Sequence, residues 1–244
     1  MRKFGLIGFP LGHSFSQPYF QKKFQREGIT DCLYENFPLP DIGLLPGLLL
    51  REPQLEGLNV TIPHKEKVIS ILDFRDPVVE SVGACNCLLI RDGKCQGYNT
   101  DVTGFETSLK RRWHPAHAPA LILGTGGAAK AVAFVLGRMG ISYHFVSRNP
   151  GPGVMTYADL TEETIRKYRL IINASPAGMY PRLDSYPPLA YGALSGEYFL
   201  FDLVYNPAET IFLQKGREQG CVIQNGAEML QIQAEESWSI WNRR

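Results

Sequence analysis

Short apolar runs rich in Ile, Leu and Val alternate along this chain with longer amphipathic stretches. That is the pattern of βαβ units wound around a mostly parallel sheet, so the class is α/β. Over the first hundred residues the runs predict strands at 4–8, 32–36, 57–60 and 85–90, and helical spacing marks 17–27 and 63–72. The segment 111–119 holds two prolines and two histidines and reads as a linker or loop. Beyond it, strands are predicted at 120–123, 142–146, 170–173 and 198–202, with helices at 128–139 and 208–219. An amphipathic helix at 227–241 can return to the first lobe, which makes two lobes the expected organisation. No internal repeat and no low-complexity tract interrupts the pattern.

Composition narrows the partner. A chain of 244 residues buries a core without disulfides or metals. Lys and Arg total 25 against 24 Asp and Glu, which provides no basic field for nucleic acid and points to a small molecule. The cysteines, Cys32, Cys85, Cys87, Cys95 and Cys221, are odd in number and lack C-x-x-C spacing, so a reduced, cytoplasmic compartment fits. Cys85 and Cys87, two apart in a predicted strand, are expected on one face as apolar packing, and no metal site is expected. The apolar start at 1–9 is cut short by Pro10, Gly12 and His13, and the run at 42–50 is broken by Pro46 and Gly47. Both are far shorter than the ~20 residues a bilayer demands, so no membrane segment is expected.

The clearest chemistry lies in Leu121-Ile122-Leu123-Gly124-Thr125-Gly126-Gly127-Ala128-Ala129, an apolar strand running through glycines into a helix. This is a G-x-G-x-x-A dinucleotide fingerprint in its proper context. Gly124 makes the tight turn, Gly126 lets the backbone approach a pyrophosphate, Ala129 permits close helix packing, and the helix N-terminus favours phosphate charge. The next predicted strand leads into Ser147-Arg148-Asn149, where an acidic residue would hold the ribose hydroxyl of NAD. Arg148 stands there instead and can pair with a 2′-phosphate, which favours NADP.

The first lobe carries Ser14 and Ser16 in a loop before a helix. These hydroxyls can donate to a carboxylate, or they can cap the helix. Asn59-Val60-Thr61-Ile62-Pro63-His64-Lys65 follows a strand end with a proline and places a lysine in an expected first helical turn, against the helix dipole. Taken alone, Lys65 reads equally as a surface lysine, and Asp101 as an N-cap of a helix starting near residue 102.

These stretches, with Gly83-Ala84-Cys85-Asn86 and Gly97-Tyr98-Asn99-Thr100-Asp101-Val102-Thr103-Gly104, resemble the shikimate dehydrogenase family. The resemblance continues through the glycine loop, Asn173-Ala174-Ser175-Pro176-Ala177-Gly178-Met179, Asp202-Leu203-Val204-Tyr205-Asn206-Pro207, Thr210, Met229-Leu230 and Gln233. It implies an N-terminal α/β substrate domain with a mixed sheet, residues 1–101 plus 226–244, and a Rossmann-type NADP domain, residues 102–225. It implies NADPH-dependent, reversible reduction of 3-dehydroshikimate to shikimate by a monomer or homodimer, within chorismate and aromatic amino acid biosynthesis.

By the same resemblance, Ser14, Ser16 and Tyr205 hold the substrate carboxylate, and Thr61, Asn86, Asp101 and Gln233 contact the ring hydroxyls. Lys65 and Asp101 match the catalytic pair. Thr125, Gly127, Ala128, Ser147, Asn149, Ala174, Ser175, Met179, Val204, Gly226 and Met229 join Gly124, Gly126 and Arg148 around the cofactor. An ammonium at Lys65 can donate the proton that a ketone oxygen takes up as hydride arrives, a role typically worth about 10² to 10⁴ in rate. Two alternatives stay open: an NAD-dependent quinate/shikimate dehydrogenase, and a non-catalytic sensor of dinucleotide or shikimate.

Overall fold

The computed structural model describes residues 1–12 and 14–243. By residue contact the chain divides into two compact units, Met1–Thr100 with Ala234–Arg244, and Asp101–Gln233.

The first unit is built on a six-stranded sheet: β1 (Arg2–Gly8), β2 (Cys32–Pro38), β3 (Leu55–Val60), β4 (Phe74–Arg75), β5 (Cys87–Arg91) and β6 (Lys94–Tyr98), in the order β2-β1-β3-β5-β6-β4. The sheet is mixed. β1 runs parallel to β2 and β3, and β5 runs antiparallel to β3 and β6. Its helices are α1 (Ser16–Glu27), α2 (Leu45–Arg51) and α3 (Pro77–Val82). Both faces of the sheet are covered. Phe4, Leu6, Cys87 and Leu89 pack into one cluster with Phe20, Tyr34 and Trp241. Ile7, Leu88 and Ile90 face the other with Leu58, Val68 and Val79. That two-sided burial is why the strands read as unbroken apolar runs.

The strand β5 begins at Cys87, so Cys85 precedes it, and the two cysteines fall in opposite clusters instead of sharing a face. All five cysteines are buried and free. The expected helix at 63–72 is a 3₁₀ helix over Lys67–Ile71 only. α2 and β6 escape the pattern for local reasons. Pro46 sits in the first turn of α2, where a missing N–H costs nothing. β6 is joined to β5 through Asp92 and Gly93, both at positive φ (51° and 71°), the two-residue hairpin loop that Asp-Gly favours.

The second unit is a six-stranded, all-parallel sheet of β7 (Ala120–Leu123), β8 (Tyr143–Ser147), β9 (Val154–Thr156), β10 (Leu170–Asn173), β11 (Phe199–Asp202) and β12 (Val222–Gln224). The order β12-β11-β10-β7-β8-β9 is that of a doubly wound dinucleotide fold, with its switch point between β7 and β10. Around it run α4 (Thr100–Lys110), α5 (Gly127–Arg138), α6 (Glu162–Ile165) and α7 (Ile211–Glu218).

The last helix, α8 (Ala227–Trp241), crosses the division. Its first turns belong with α4, where Gly104 leaves room that a Cβ would lose at 2.6 Å from the Met229 carbonyl. Its last turns belong to the first unit, where Trp241 stacks on Phe4 at 4.9 Å and donates its indole N–H to the Leu88 carbonyl at 2.9 Å. Gly57 provides the space, since a Cβ there would collide with the Trp241 ring.

Candidate active site

In the first unit, β1 ends at Gly8, and a side chain there would meet Thr61 Cγ2 at 2.5 Å. The absent side chain lets two chain segments lie together: Thr61 donates its N–H to the Ile7 carbonyl at 2.9 Å, and Phe9 donates to the Ile62 carbonyl at 3.0 Å. Thr61 therefore lies beside the loop that leads to Ser14 and Ser16. The N-cap of α1 is Phe15, with no side-chain cap, so neither serine serves the helix in that way. The Ser14 hydroxyl is buried and has no hydrogen-bond partner among the described residues. Such an oxygen ordinarily costs about 1–3 kcal/mol, which argues for a partner that arrives later.

Ser16 is engaged differently. Its hydroxyl bonds the buried Tyr34 phenol, which donates to Asn59 Oδ1 at 2.9 Å. Asn59 Nδ2 donates to Ser237 Oγ at 2.9 Å, and Ser237 Oγ lies 3.2 Å from Thr100 Oγ1. Asn86 completes the chain, donating to Thr100 Oγ1 at 3.0 Å and accepting from the Thr100 N–H at 2.6 Å. Burial, with the Cys87 thiol adding to it, pushes the Tyr34 phenol well above its ordinary range, so the phenol keeps its proton. Nothing in the sequence picks out Tyr34, Thr100 or Ser237 as site residues. Asn59 opens a motif that carries other assignments, with no role of its own legible there.

Lys65 is half-buried in the turn that precedes the 3₁₀ helix, so the helix-dipole argument for its placement falls away. Its carbonyl accepts from the Cys85 N–H at 2.7 Å. One residue earlier, fully buried His64 sets its Nε2 2.6 Å from the Leu39 carbonyl. The lysine's backbone is thus pinned from two sides. Asp101 is buried in the first turn of α4, which starts at Thr100. It is therefore not the N-cap, and a carboxylate in that turn is favoured by the helix dipole.

In the second unit the glycine loop has the form the fingerprint requires. Gly124 has φ +119°, closed to most side chains, and a Cβ would sit 3.0 Å from the Ala174 carbonyl. Gly126 is the N-cap of α5 with open space at its Cβ, no side chain caps the helix, and Ala129 is fully buried against the sheet. The free N–H groups of that first turn are a ready site for a pyrophosphate. Arg148 is exposed just past β8, and the Asn149 N–H donates to Ser147 Oγ at 3.3 Å. A dinucleotide fits these residues.

Ala174 and Ser175 follow β10, Met179 is exposed farther along that loop, and Val204 is buried after β11 beside half-buried Tyr205. Gly226 lies so close to the Leu203 carbonyl that a Cβ would overlap it. Met229 and Gln233 are both buried on α8, which excludes a solvated role for the glutamine; its Nε2 donates to the Leu230 carbonyl at 3.0 Å. The crossing at Gly104 sets α8, with Gln233, against α4, with Asp101. Among the described residues no group of three or more His, Cys, Asp or Glu could hold a metal ion, and no helix is long and apolar enough to cross a membrane.

Comparison with known proteins agrees with this geometry. Residues 6–88 match the family described as "Shikimate dehydrogenase substrate binding domain". The chain is 36% identical over 262 residues to a Halothermothrix orenii protein named "Shikimate dehydrogenase (NADP(+))", covering 97% of this chain and 89% of that one. Among solved structures, shikimate dehydrogenase 1 from Peptoclostridium difficile superposes with a TM-score of 0.87 at 34% identity, covering 99% of this chain and 91% of that one. Shikimate 5-dehydrogenase from Thermus thermophilus, solved with NADP(H) and shikimate, superposes at 0.87 and 31% identity, covering 99% and 94%.

Proposed function

The chain belongs to the shikimate dehydrogenase family, and from that premise we propose that it catalyses the reversible, NADPH-dependent reduction of 3-dehydroshikimate to shikimate. The observation that carries the reading is Ser14, a buried hydroxyl without a partner on the first unit of a chain whose second unit offers an open dinucleotide loop. The substrate carboxylate takes a donor from Ser14 and, once its hydroxyl turns away from Tyr34, from Ser16, with Tyr205 assisting. Thr61, Asn86 and Gln233 receive the ring hydroxyls.

Gly124, Thr125, Gly126, Gly127 and Ala128 cradle the pyrophosphate. Ser147, Arg148 and Asn149 take the 2′-phosphate, and Ala174, Ser175, Met179, Val204, Gly226 and Met229 line the nicotinamide end. NADPH, when bound, supplies a hydride to the ketone carbon. Lys65 then donates a proton to the carbonyl oxygen as negative charge builds there, and withdraws it in the reverse direction. Asp101 binds a ring hydroxyl and orients the ammonium. We assign the substrate to residues 1–101 with 226–244 and the dinucleotide to 102–225. The net charge of +1 suits action on small molecules and not on nucleic acid, and we assign the chain to the cytoplasm as a monomer or homodimer.

The test is a spectrophotometric assay of purified protein, with 3-dehydroshikimate against NADPH or NADH, and with shikimate or quinate against NADP or NAD. Turnover fastest with the first substrate and NADPH is expected. Turnover only with quinate and NAD would move the substrate assignment, and no turnover in any pairing would remove the enzyme reading.

A further inference from the structure

The loops after β10 and β11 carry Ala174, Ser175, Met179, Val204 and Tyr205, and one buried carboxyl ties the two loops together. Asp202, the last residue of β11, is fully buried. Its Oδ1 accepts from Asn173 Nδ2 at 2.9 Å and from the Val204 N–H at 3.0 Å, while its Oδ2 accepts from Thr210 Oγ1 at 2.5 Å. Asn173, also fully buried at the end of β10, passes the constraint on. Its Nδ2 donates as well to the Ala177 carbonyl at 3.2 Å, and its Oδ1 accepts from Ser175 N at 3.1 Å and Ser175 Oγ at 2.6 Å. One carboxyl therefore sets the turn 173–177 through an amide and the turn 202–204 through a backbone N–H.

Stability gives no reason to bury a polar hub here. Its partners are neutral donors, and a carboxyl fully removed from water is costly where an apolar side chain of like size would fold as well or better. Burial pushes the carboxyl up to about 7, against the three donors that favour ionisation. Local rules broken at that cost point to function. The position agrees: the adenosine side of a dinucleotide falls over β8, where Arg148 stands, so its other half falls over the ends of β10 and β11.

We propose that Asp202 is a positioning residue for the cofactor, its carboxyl holding the loops 173–179 and 202–205 in the shape that receives the nicotinamide end. The inference rests on the reading of the chain as an NADPH-dependent dehydrogenase. Asp202 is fully buried and acts through Asn173, Ser175 and Val204, and misplacement of such groups by an ångström is enough to cost about 10²-fold.

Asp202→Asn is the conservative test, because an amide can keep both bonds at Oδ1 and donate to Thr210 Oγ1. Asp202→Ala removes all three bonds, and Thr210→Val removes one of them together with the cap that Thr210 Oγ1 gives the Leu213 N–H at the start of α7. For the wild type and each variant, KM for NADPH and for 3-dehydroshikimate, kcat and Tm are measured, and NADPH affinity is read separately from the cofactor's fluorescence. Asp202→Ala is expected to raise KM and Kd for NADPH at least tenfold, Thr210→Val at least threefold, and Asp202→Asn less than threefold. If Asp202→Ala does not fold, Thr210→Val against Asp202→Asn decides.

A folded Asp202→Ala or Thr210→Val protein with wild-type KM and Kd, changed only in Tm, would overturn the proposal. So would an Asp202→Asn protein as impaired as Asp202→Ala. A wild type that binds NADPH without turning over any substrate would overturn the dehydrogenase reading and leave the comparison of affinities standing. A wild type that neither binds nor turns over would overturn both.

Discussion

On the assignment proposed above, the first unit offers its ligand side chains, whereas the second offers mainly backbone. Around Ser14, Thr61 and Asn86 the work is done by hydroxyls and amides, several of them fixed in a buried chain from Ser16 through Tyr34, Asn59 and Ser237 to Thr100. Around Gly124 and Gly126 it is done by what is missing, a Cβ at each, so that N–H groups at the head of α5 stand open. The difference teaches what each ligand requires. A ring with several hydroxyls and one carboxylate needs donors and acceptors at fixed points, while a pyrophosphate needs close approach and a positive field. It follows that substitutions damage the two sites in opposite ways: deletion of atoms harms the cluster of hydroxyls and amides, and addition of atoms harms the glycine loop.

The largest effect tests the deletion side. Lys65→Ala should lower kcat by about 10² to 10⁴ while NADPH affinity stays within twofold, because the proton donor is lost and the glycine loop is untouched. Rapid-mixing kinetics with a parallel fluorescence titration separate the two quantities. A variant with near-normal kcat would take Lys65 out of the chemistry. Gly124→Ala tests the addition side. One methyl group at φ +119°, 3.0 Å from the Ala174 carbonyl, should weaken NADPH binding roughly tenfold or more, through strain of order 1–3 kcal/mol. KM for 3-dehydroshikimate should hardly move, and equal loss for both ligands would deny the division of labour between the units.

Arg148→Ala sharpens the comparison, since it is the one charged side chain assigned to the cofactor. It should raise KM for NADPH about tenfold and leave KM for NADH nearly unchanged, as loss of one charge-assisted pair predicts. An equal rise for both cofactors would mean that Arg148 stacks on adenine and does not read the 2′-phosphate.

The same contrast explains what can be read from the sequence. A backbone requirement writes itself as residue type at fixed spacing, so Gly124, Gly126, Ala129 and the strand and helix around them are legible, as is the parallel sheet behind them. The buried polar chain of the first unit is not, because its links join residues far apart in sequence, Tyr34 to Asn59 across 25 positions and Asn59 to Ser237 across 178. Nothing local distinguishes Tyr34 or Ser237 from ordinary strand and helix residues. Asp202 stands in a recognisable motif, yet only the fold reveals that its partners are Asn173 and Thr210. Cys85 and Cys87 mislead for the opposite reason: period two carries across a strand start that the sequence does not mark.

The smallest effect discriminates most finely within the first unit. Ser14 and Asn59 are both polar and both near the loop after β1, but one hydroxyl lacks a partner and the other amide has two neighbours that depend on it. Ser14→Ala removes an unsatisfied buried oxygen, so Tm should hold or rise slightly, by less than ~1 kcal/mol in stability. KM for 3-dehydroshikimate should still rise about tenfold, because a donor to the carboxylate is gone. Asn59→Ala takes from the Tyr34 phenol its acceptor and from the Ser237 hydroxyl one donor, and should cost about 1–3 kcal/mol before any ligand is added. Chemical denaturation of both variants without ligands provides the comparison. If Ser14→Ala is destabilised as much as Asn59→Ala, the Ser14 hydroxyl is part of the protein's own internal network, and the carboxylate of the substrate must be held elsewhere.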